Sequence, residues 1–280
     1  MRSVLLALAL SLATGCSAQT GEAPRPPAPP QPVLPVEPPN PAPVPDETAQ
    51  MLLVVTPSWD ATSGALRRYE RENGEWTAVG EPVPVVVGRS GLGWGRGLHG
   101  GVGSLGPGPQ KREGDGRAPA GVFDLSAAFG YADAEPTGLP YVASTPEMVC
   151  VDDGDSGAYN LVIDRTTVAN DWGSRERMRL ETDLYRIGVI VAHNGPGVAQ
   201  SAVADRRAGP DPVPGGGSCI FLHVWRGPDS VTAGCTAMPD ERLQKILAWL
   251  DAEQRPVLVQ LPAAQAERLA SDWDLPTDGL

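Results

Sequence analysis

The sequence has few of the residues that metal sites and nucleic-acid sites require. Its three histidines, His99, His193 and His223, are scattered, and no CxxC pair or His/Cys cluster is present. We therefore predict no metal site and no cofactor. No block of lysine or arginine occurs, and the formal net charge of −12 argues against nucleic acid as a partner. An acidic surface keeps a protein soluble but carries no information about its substrate.

A long apolar run is also missing, because residues 4–12 are too few to span a bilayer as a permanent helix. This run follows Arg2 and ends in small residues just before Cys16, an order typical of a secretory signal. It resembles the bacterial lipoprotein signal, which implies removal of residues 1–15, lipidation of Cys16 and attachment to the membrane through the lipid. Ser17 implies sorting to the outer membrane, facing the periplasm of the cell envelope. An ordinary signal peptide that leaves a soluble protein is the alternative.

We predict a lipidated cysteine followed by a proline-rich tether over residues 16–49. Residues 24–45 include twelve prolines and no periodic apolar face, which favours extended polyproline II structure. Such a tether would be roughly 70 Å long. A docking motif for a partner is the alternative interpretation. The folded body is predicted over residues 50–263, with a C-terminal tail at 264–280.

The body of the chain consists of short predicted strands separated by turns. Asn73-Gly74 predicts a hairpin, because both residues tolerate positive φ. Apolar residues at helical spacing predict a helix over 240–251 and a weaker one over 263–272. The sequence therefore predicts a mainly β fold with a few short helices. The predicted strands are 51–55, 65–69, 76–79, 83–87, 122–125, 159–163, 187–192, 220–224 and 257–261.

Glycine is so frequent in residues 88–108 and 195–217 that we predict long surface loops there. Loops of this length usually form lids or the walls of binding sites. We expect His99 to be solvated in the first loop and Trp94 to be exposed there as a candidate binding residue. His193 follows the predicted strand 187–192, where it either lines a groove or makes structural hydrogen bonds.

The number of cysteines indicates a free thiol. If Cys16 is lipidated, Cys150, Cys219 and Cys235 remain, an odd number in an oxidising compartment. Cys150 and Cys219 both flank predicted strands and are candidates for a disulfide, although the sequence does not establish that their Cβ atoms approach. One cysteine is therefore expected to be free or reactive.

Cys235 and His223 are the candidates for a nucleophile and its base. A cysteine nucleophile needs a base, a backbone that presents the sulfur, and N–H groups for the developing oxyanion. His223 lies near the end of the apolar stretch 220–224, and Gly234 allows a tight backbone before Cys235. Eleven residues separate the pair, enough for the chain to return to the same edge. The spacing fits a structural histidine and an inert cysteine as well.

Several motifs follow one another over residues 86–261, roughly two thirds of the chain. KREGDG at 111–116 precedes RAPAGVF at 117–123, and GSCIFLHVWR at 217–226 precedes the TAGC that ends in Cys235. The motifs between them are Tyr159-Asn160, Asp171-Trp172 and Glu176-Arg177-Met178. Together these motifs resemble one branch of the YkuD-type L,D-transpeptidase family, in which they occur in the same order.

The resemblance implies a β-sandwich-like catalytic domain of mixed sheets, in which cysteine and histidine face a groove. It implies that Cys235 forms an acyl-enzyme with a peptidoglycan stem tetrapeptide and transfers it to an amine. His223 would be the base, and backbone N–H groups around Gly234 and Cys235 would hold the oxyanion. A carboxypeptidase or endopeptidase that hydrolyses stem peptides is one alternative. A non-catalytic peptidoglycan-binding lipoprotein is another.

The resemblance also implies a set of residues that bind the substrate. The planar guanidinium of Arg226 suits a carboxylate. Three residues depart from the commonest family motif: Ala233 stands where that motif has histidine, and Thr236-Ala237 stand where it has arginine or asparagine. The sequence does not predict an oligomeric state. The expected substrate-binding residues are Arg226, Trp225, Thr232 and His193.

Overall fold

A computed structural model describes residues 43–101, 105–198 and 211–278. The predicted signal, Cys16 and most of the tether lie outside these residues. No helix in the described part of the chain is long and apolar enough to cross a membrane. Among the described residues, two short 3-10 helices cover Asp183–Tyr185 and Ala252–Gln254. The other elements of the described residues are β1 (Gln50–Thr56), β2 (Ser63–Glu72), β3 (Glu75–Val86), β4 (Leu92–Trp94), β5 (Ala118–Gly130), β6 (Tyr141–Ala143), β7 (Met148–Val151), β8 (Leu161–Asp164), β9 (Arg175–Arg177), β10 (Ile187–Val191), β11 (Gly197–Val198), β12 (Phe221–Val224), β13 (Thr236–Met238), α1 (Asp240–Trp249), β14 (Val257–Pro262) and α2 (Ala263–Leu269).

Ten of the described strands form a mixed sheet in the order β10-β12-β13-β3-β2-β1-β14-β5-β4, with β6 paired to β5. Strand β10 also pairs with β5, so the path of strands closes into a ring. Closure satisfies the backbone edges that an open sheet would expose. A second, four-stranded sheet has the order β11-β8-β7-β9. The prediction of a mainly β fold with mixed sheets and few helices is confirmed.

Apolar residues on alternate positions of the ring strands divide the core between the two faces of the large sheet. On one face, Leu52, Leu222 and Leu258 pack with Leu243 and Ile246 of α1 in a first core cluster. This arrangement follows from the two periodicities in the sequence, because α1 presents residues three and four positions apart to strands that present every second residue.

The opposite face of the ring carries two further clusters. Met51 and Leu53 of β1 pack there with Leu269, Trp273 and Val44 in a second cluster. Residues 264–275, predicted as part of a tail, therefore continue the folded core, as does the end of the tether at Val44. A third cluster lies between β10, β12 and the four-stranded sheet. It includes Cys150, Tyr185, Cys219, Phe221 and Cys235.

Most predicted elements occur near their predicted positions. Asn73 and Gly74 both have positive φ in the β2–β3 hairpin, which confirms that prediction. Residues 76–79 and 83–87 were predicted as separate strands but belong to the single strand β3, whose pairing with β2 shifts register once. Helix α1 ends two residues before the predicted end at 251.

The described parts of the two glycine-rich segments include regular strands that were not predicted. Residues 88–108 contain β4, which pairs in parallel with β5, and residues 195–217 contain β11. Trp94 is only 1% exposed, so its expected role as an exposed binding residue is wrong. The glycines here permit close backbone approach: a Cβ on Gly97 would lie 2.2 Å from the Val122 carbonyl oxygen.

Candidate active site

The fold brings His223 and Cys235 to one wall of a cavity of about 540 Å³. Strand β12 carries His223 and pairs in parallel with β13, which begins directly after Cys235. Leu222 and Val224 point into the first core cluster. Because side chains alternate along a strand, Phe221 and His223 face the other side, where Cys235 lies. Trp225 and Arg226, which follow β12, also line the cavity.

The His223 ring is fixed in one orientation. Its Nδ1 lies 2.8 Å from the carbonyl oxygen of Val224, which can only accept, so Nδ1 carries the hydrogen and Nε2 is free to accept a proton. The ring also packs edge-on against Tyr185, with centroids 5.1 Å apart. Burial lowers the pKa of His223 to about 4, with the charge of Arg226 adding to the effect and the Val224 carbonyl opposing it. The imidazole is therefore neutral at pH 7.

The Cys235 thiol is 7% exposed and is the free cysteine of the described residues. Its Sγ accepts a hydrogen bond from the Phe221 N–H at 3.4 Å and donates to the Cys219 carbonyl at 3.6 Å. Burial raises the pKa of this thiol to about 12, and the charge of Glu176 adds to the effect. The Phe221 N–H, Lys111 and Tyr185 act in the opposite direction. The resting state is a protonated thiol.

A short turn positions Cys235. The Thr232 hydroxyl donates to the Cys235 carbonyl at 2.6 Å and accepts from the Gly234 N–H at 3.1 Å. Gly234 lies close to another backbone segment, since a Cβ there would be 3.0 Å from the Arg117 carbonyl oxygen. Thr232 thus supports the turn and also lines the cavity, so its expected contact with the substrate stays a prediction.

The same turn distinguishes the two N–H groups expected to hold the oxyanion. The Gly234 N–H is occupied by Thr232, whereas the Cys235 N–H has no hydrogen-bond partner in the described residues. A donor without an internal partner beside the nucleophile suits a developing oxyanion. Of the two, the Cys235 N–H is therefore the candidate donor.

His193 and His99 lie in the core instead of on the cavity wall. His193 is 1% exposed; its Nδ1 accepts from the Arg96 N–H at 3.3 Å and its Nε2 donates to the Gly216 carbonyl at 3.1 Å. The substrate-binding role for His193 is therefore wrong, and structural hydrogen bonding is what the structure shows. His99 is fully buried and bonds Gly95 and Val122, so the expectation of a solvated ring is wrong too.

A disulfide joins Cys150 and Cys219, a pairing that the sequence left open. Cys150 belongs to β7 of the four-stranded sheet, and Cys219 lies two residues before β12 of the large sheet. Asn160 supports the second cysteine by accepting the Cys219 N–H at 2.9 Å, while its amide donates to the carbonyls of His193 and Asn194. The disulfide thus links the two sheets beside the nucleophile.

Sequence reasoning missed the acidic and phenolic residues of the cavity wall. Glu113 accepts hydrogen bonds from Tyr159 and Ser218, both at 2.8 Å, and so joins the KREGDG motif to the segment before β12. Glu176 and Tyr185 lie beside Cys235. Glu113 and Glu176 belong to motifs that the sequence displayed, but nothing in the sequence around Tyr185 marks it.

The family comparison agrees with this geometry. Residues 59–259 match the YkuD model, described as the L,D-transpeptidase catalytic domain. The match covers well over half of the 280 residues, so the chain belongs to this family. Searches of the curated proteins and of the solved structures found no match. Membership implies an L,D-transpeptidase-type enzyme that acts on peptidoglycan stem peptides.

Proposed function

We propose that this protein is a cysteine-dependent L,D-transpeptidase with Cys235 as nucleophile and His223 as base. The observation that carries the proposal is the common cavity wall of the two residues. There, adjacent parallel strands hold the imidazole, with Nε2 free to accept, beside a thiol that accepts a backbone N–H. Within the described residues no hydrogen bond joins the thiol to the imidazole. Such bonds are often long in ligand-free sites and tighten with substrate.

In the first half-reaction, the thiol proton moves to His223 and the sulfur attacks the carbonyl that follows the L-centre of the diamino-acid residue. The oxyanion forms beside the Cys235 N–H. The intermediate collapses to a thioester as His223 returns the proton to the departing amine of the terminal D-alanine. In the second, an acceptor amine loses a proton to His223, attacks the thioester and releases the thiol.

Two residues on the rim would hold the substrate. Arg226 is exposed, lines the cavity and forms no ion pair within the described part of the chain. A free guanidinium at a groove rim suits a bidentate contact with a carboxylate of the stem peptide. Trp225 offers an adjoining apolar wall.

The test is incubation of purified protein with disaccharide-tetrapeptide muropeptides, followed by mass spectrometry. We expect new crosslinks between diamino-acid residues. Cys235→Ala should abolish them, and His223→Asn should slow them by about 10²- to 10⁴-fold. Products that contain only tripeptide would identify a hydrolase and contradict transfer.

Carbapenem labelling identifies the nucleophile independently. The wild-type chain should gain the mass of one carbapenem, and Cys235→Ala should gain none. Cys16→Ala is the matched control, because it removes the other cysteine outside the disulfide and should still be labelled. Labelling that survives Cys235→Ala would refute the assignment.

We also propose that Cys16 carries the lipid and that the protein faces the periplasm from the outer membrane. The order of charged, apolar and small residues before Cys16 supports this proposal. On detergent phase separation, the wild-type protein should enter the detergent phase and Cys16→Ala the aqueous phase. An aqueous wild-type protein would contradict lipidation.

A further inference from the structure

The hydroxyl of Tyr185 lies between the proposed nucleophile and a carboxylate that the mechanism above does not use. It donates to Glu176 Oε1 at 2.5 Å, and its ring lies in the same buried cluster as Cys235, whose pKa it lowers. All three side chains line the cavity. A single phenol thus lies beside Glu176 and Cys235, two groups that can be negatively charged.

Aromatic packing holds the Tyr185 ring in place. The ring lies edge-on to Phe129 at 5.8 Å, to Phe221 at 5.6 Å and to His223 at 5.1 Å between centroids. Only 5% of the residue is exposed. Because the ring cannot swing away, the phenol oxygen stays in place and only its hydrogen can be redirected.

The position of Glu176 is also fixed relative to the nucleophile. Glu176 is the central residue of β9 and pairs with Cys150 across to β7. Cys150 is bonded to Cys219, whose carbonyl accepts from the Cys235 thiol. The carboxylate is therefore tied to the surroundings of the sulfur by a strand pairing and a disulfide.

Burial and the nearby negative charges favour the neutral form of Glu176. Burial raises the pKa of Glu176 to about 7, the charges of Asp152 and Glu113 add to the effect, and the Tyr185 hydrogen bond opposes it. No lysine or arginine forms an ion pair with Glu176 among the described residues. The cationic residues that line the same cavity are Arg89, Lys111, Arg175 and Arg226.

The phenol has one hydrogen to give. While Glu176 is ionised, its carboxylate accepts the hydrogen bond from the Tyr185 hydroxyl, and its negative charge opposes a thiolate at Cys235. When Glu176 is protonated, the carboxyl group can donate to the Tyr185 oxygen. The phenol hydrogen is then free to turn toward the sulfur.

We propose that Tyr185 is the side-chain donor that stabilises the Cys235 thiolate, and that protonation of Glu176 makes its hydrogen available to the sulfur. The inference rests on the proposed role of Cys235 as nucleophile. It makes Tyr185 a catalytic residue that donates to the reacting sulfur, and Glu176 a positioning residue that acts through Tyr185. His223 keeps its part in proton exchange with the thiol and the amines.

The test measures thiol ionisation without substrate. Alkylation of Cys235 by iodoacetamide is followed by intact mass across pH, in a chain that also carries Cys16→Ala. Removal of a nearby like charge by Glu176→Gln should shift the alkylation midpoint down by about 1 pH unit and speed alkylation at pH 7 about tenfold. In that neutral background the phenol hydrogen is available to the sulfur, so Tyr185→Phe added to Glu176→Gln should shift the midpoint back up and slow alkylation.

Two controls match these variants. Tyr131→Phe removes a hydroxyl that donates to the Thr182 carbonyl, next to the same 3-10 helix. Glu147→Gln removes an exposed carboxylate that pairs with Arg165. Both should leave the alkylation profile unchanged, because neither residue lines the cavity.

An unchanged or slower alkylation of Glu176→Gln would overturn the proposal, as would an unchanged profile when Tyr185→Phe is added to Glu176→Gln. Glu176→Gln keeps the aromatic packing, so it remains decisive if Tyr185→Phe fails to fold by circular dichroism. Crosslinking by wild type without the expected alkylation shifts would refute this inference alone. The expected shifts without any crosslinking would refute the transpeptidase function instead.

Discussion

Removal of the Cys150–Cys219 disulfide should cost a large part of the folding free energy. The bond closes a loop with a sequence separation of 69. The chain-entropy relation gives about 4 kcal/mol for a loop of this length. A typical domain has a total stability of about 5–15 kcal/mol. Cys150→Ala with Cys219→Ala should therefore unfold at much lower urea concentration than the wild-type chain.

The assay is equilibrium urea unfolding followed by circular dichroism, with the wild-type and variant slopes compared to confirm a two-state transition. Cys235→Ala is the matched control. Cys235 belongs to the third core cluster together with both disulfide cysteines, and its replacement removes a buried sulfur without removing a crosslink. Twice the effect of this control accounts for the two sulfur atoms that the double variant loses. The remainder estimates the contribution of the crosslink.

A remainder below about 1 kcal/mol would refute the argument from loop closure. Catalysis provides a second readout under conditions in which both proteins are folded. Because the Cys219 carbonyl accepts from the Cys235 thiol, the double variant should lose crosslinking activity beyond its loss of folded protein. Unchanged activity per folded molecule would show that the disulfide serves stability only.

Three further results are expected. Thr232→Val should lower the unfolding free energy by about 1–2 kcal/mol and reduce kcat, because two hydrogen bonds of the nucleophile turn are lost; an unchanged kcat would contradict the positioning role. Arg226→Gln should raise KM for tetrapeptide more than it lowers kcat, and an unchanged KM would exclude a carboxylate contact. Burial lowers the pKa of His99 to about 4 and of His193 to about 3, below the unfolded value of about 6.5, so the unfolded chain binds protons first. Stability should therefore be lost as pH falls below about 6.5; at pH 5 these two histidines account for about 4 kcal/mol, and His223, whose pKa is also lowered to about 4, adds about 2 kcal/mol. Urea unfolding in a Glu176→Gln background, which removes an opposing contribution, measures this loss, and equal stability at pH 7.5 and 5 would contradict it.

Sequence periodicity predicted the elements whose burial follows a simple pattern. Helix α1 presents Leu243, Ile246 and Leu247 to the core at helical spacing, and the strands that carry Leu222 and Leu258 were predicted within two residues of their ends. These patterns are local, so a single segment is enough to display them.

The surroundings of the histidines were not predictable in the same way. His99 and Trp94 lie among glycines, which usually indicates a surface loop, yet both are buried. Their burial depends on β5, which is distant in sequence and packs against the glycine backbone. Tyr185 was missed for a related reason, since its partners Glu176 and Cys235 are brought together only by the two sheets.

The two sheets contribute different parts of the proposed site. The large sheet carries His223 and leads into Cys235, while the four-stranded sheet carries Glu176 and one half of the disulfide. The raised pKa of the thiol thus depends on the packing of one sheet against the other. Any perturbation that separates the sheets should bring the pKa of Cys235 toward that of an exposed cysteine, near 8.5. Faster alkylation of Cys235 at pH 8 by the chain without its disulfide would support this dependence, whereas an unchanged rate would show that the large sheet alone determines the environment of the sulfur.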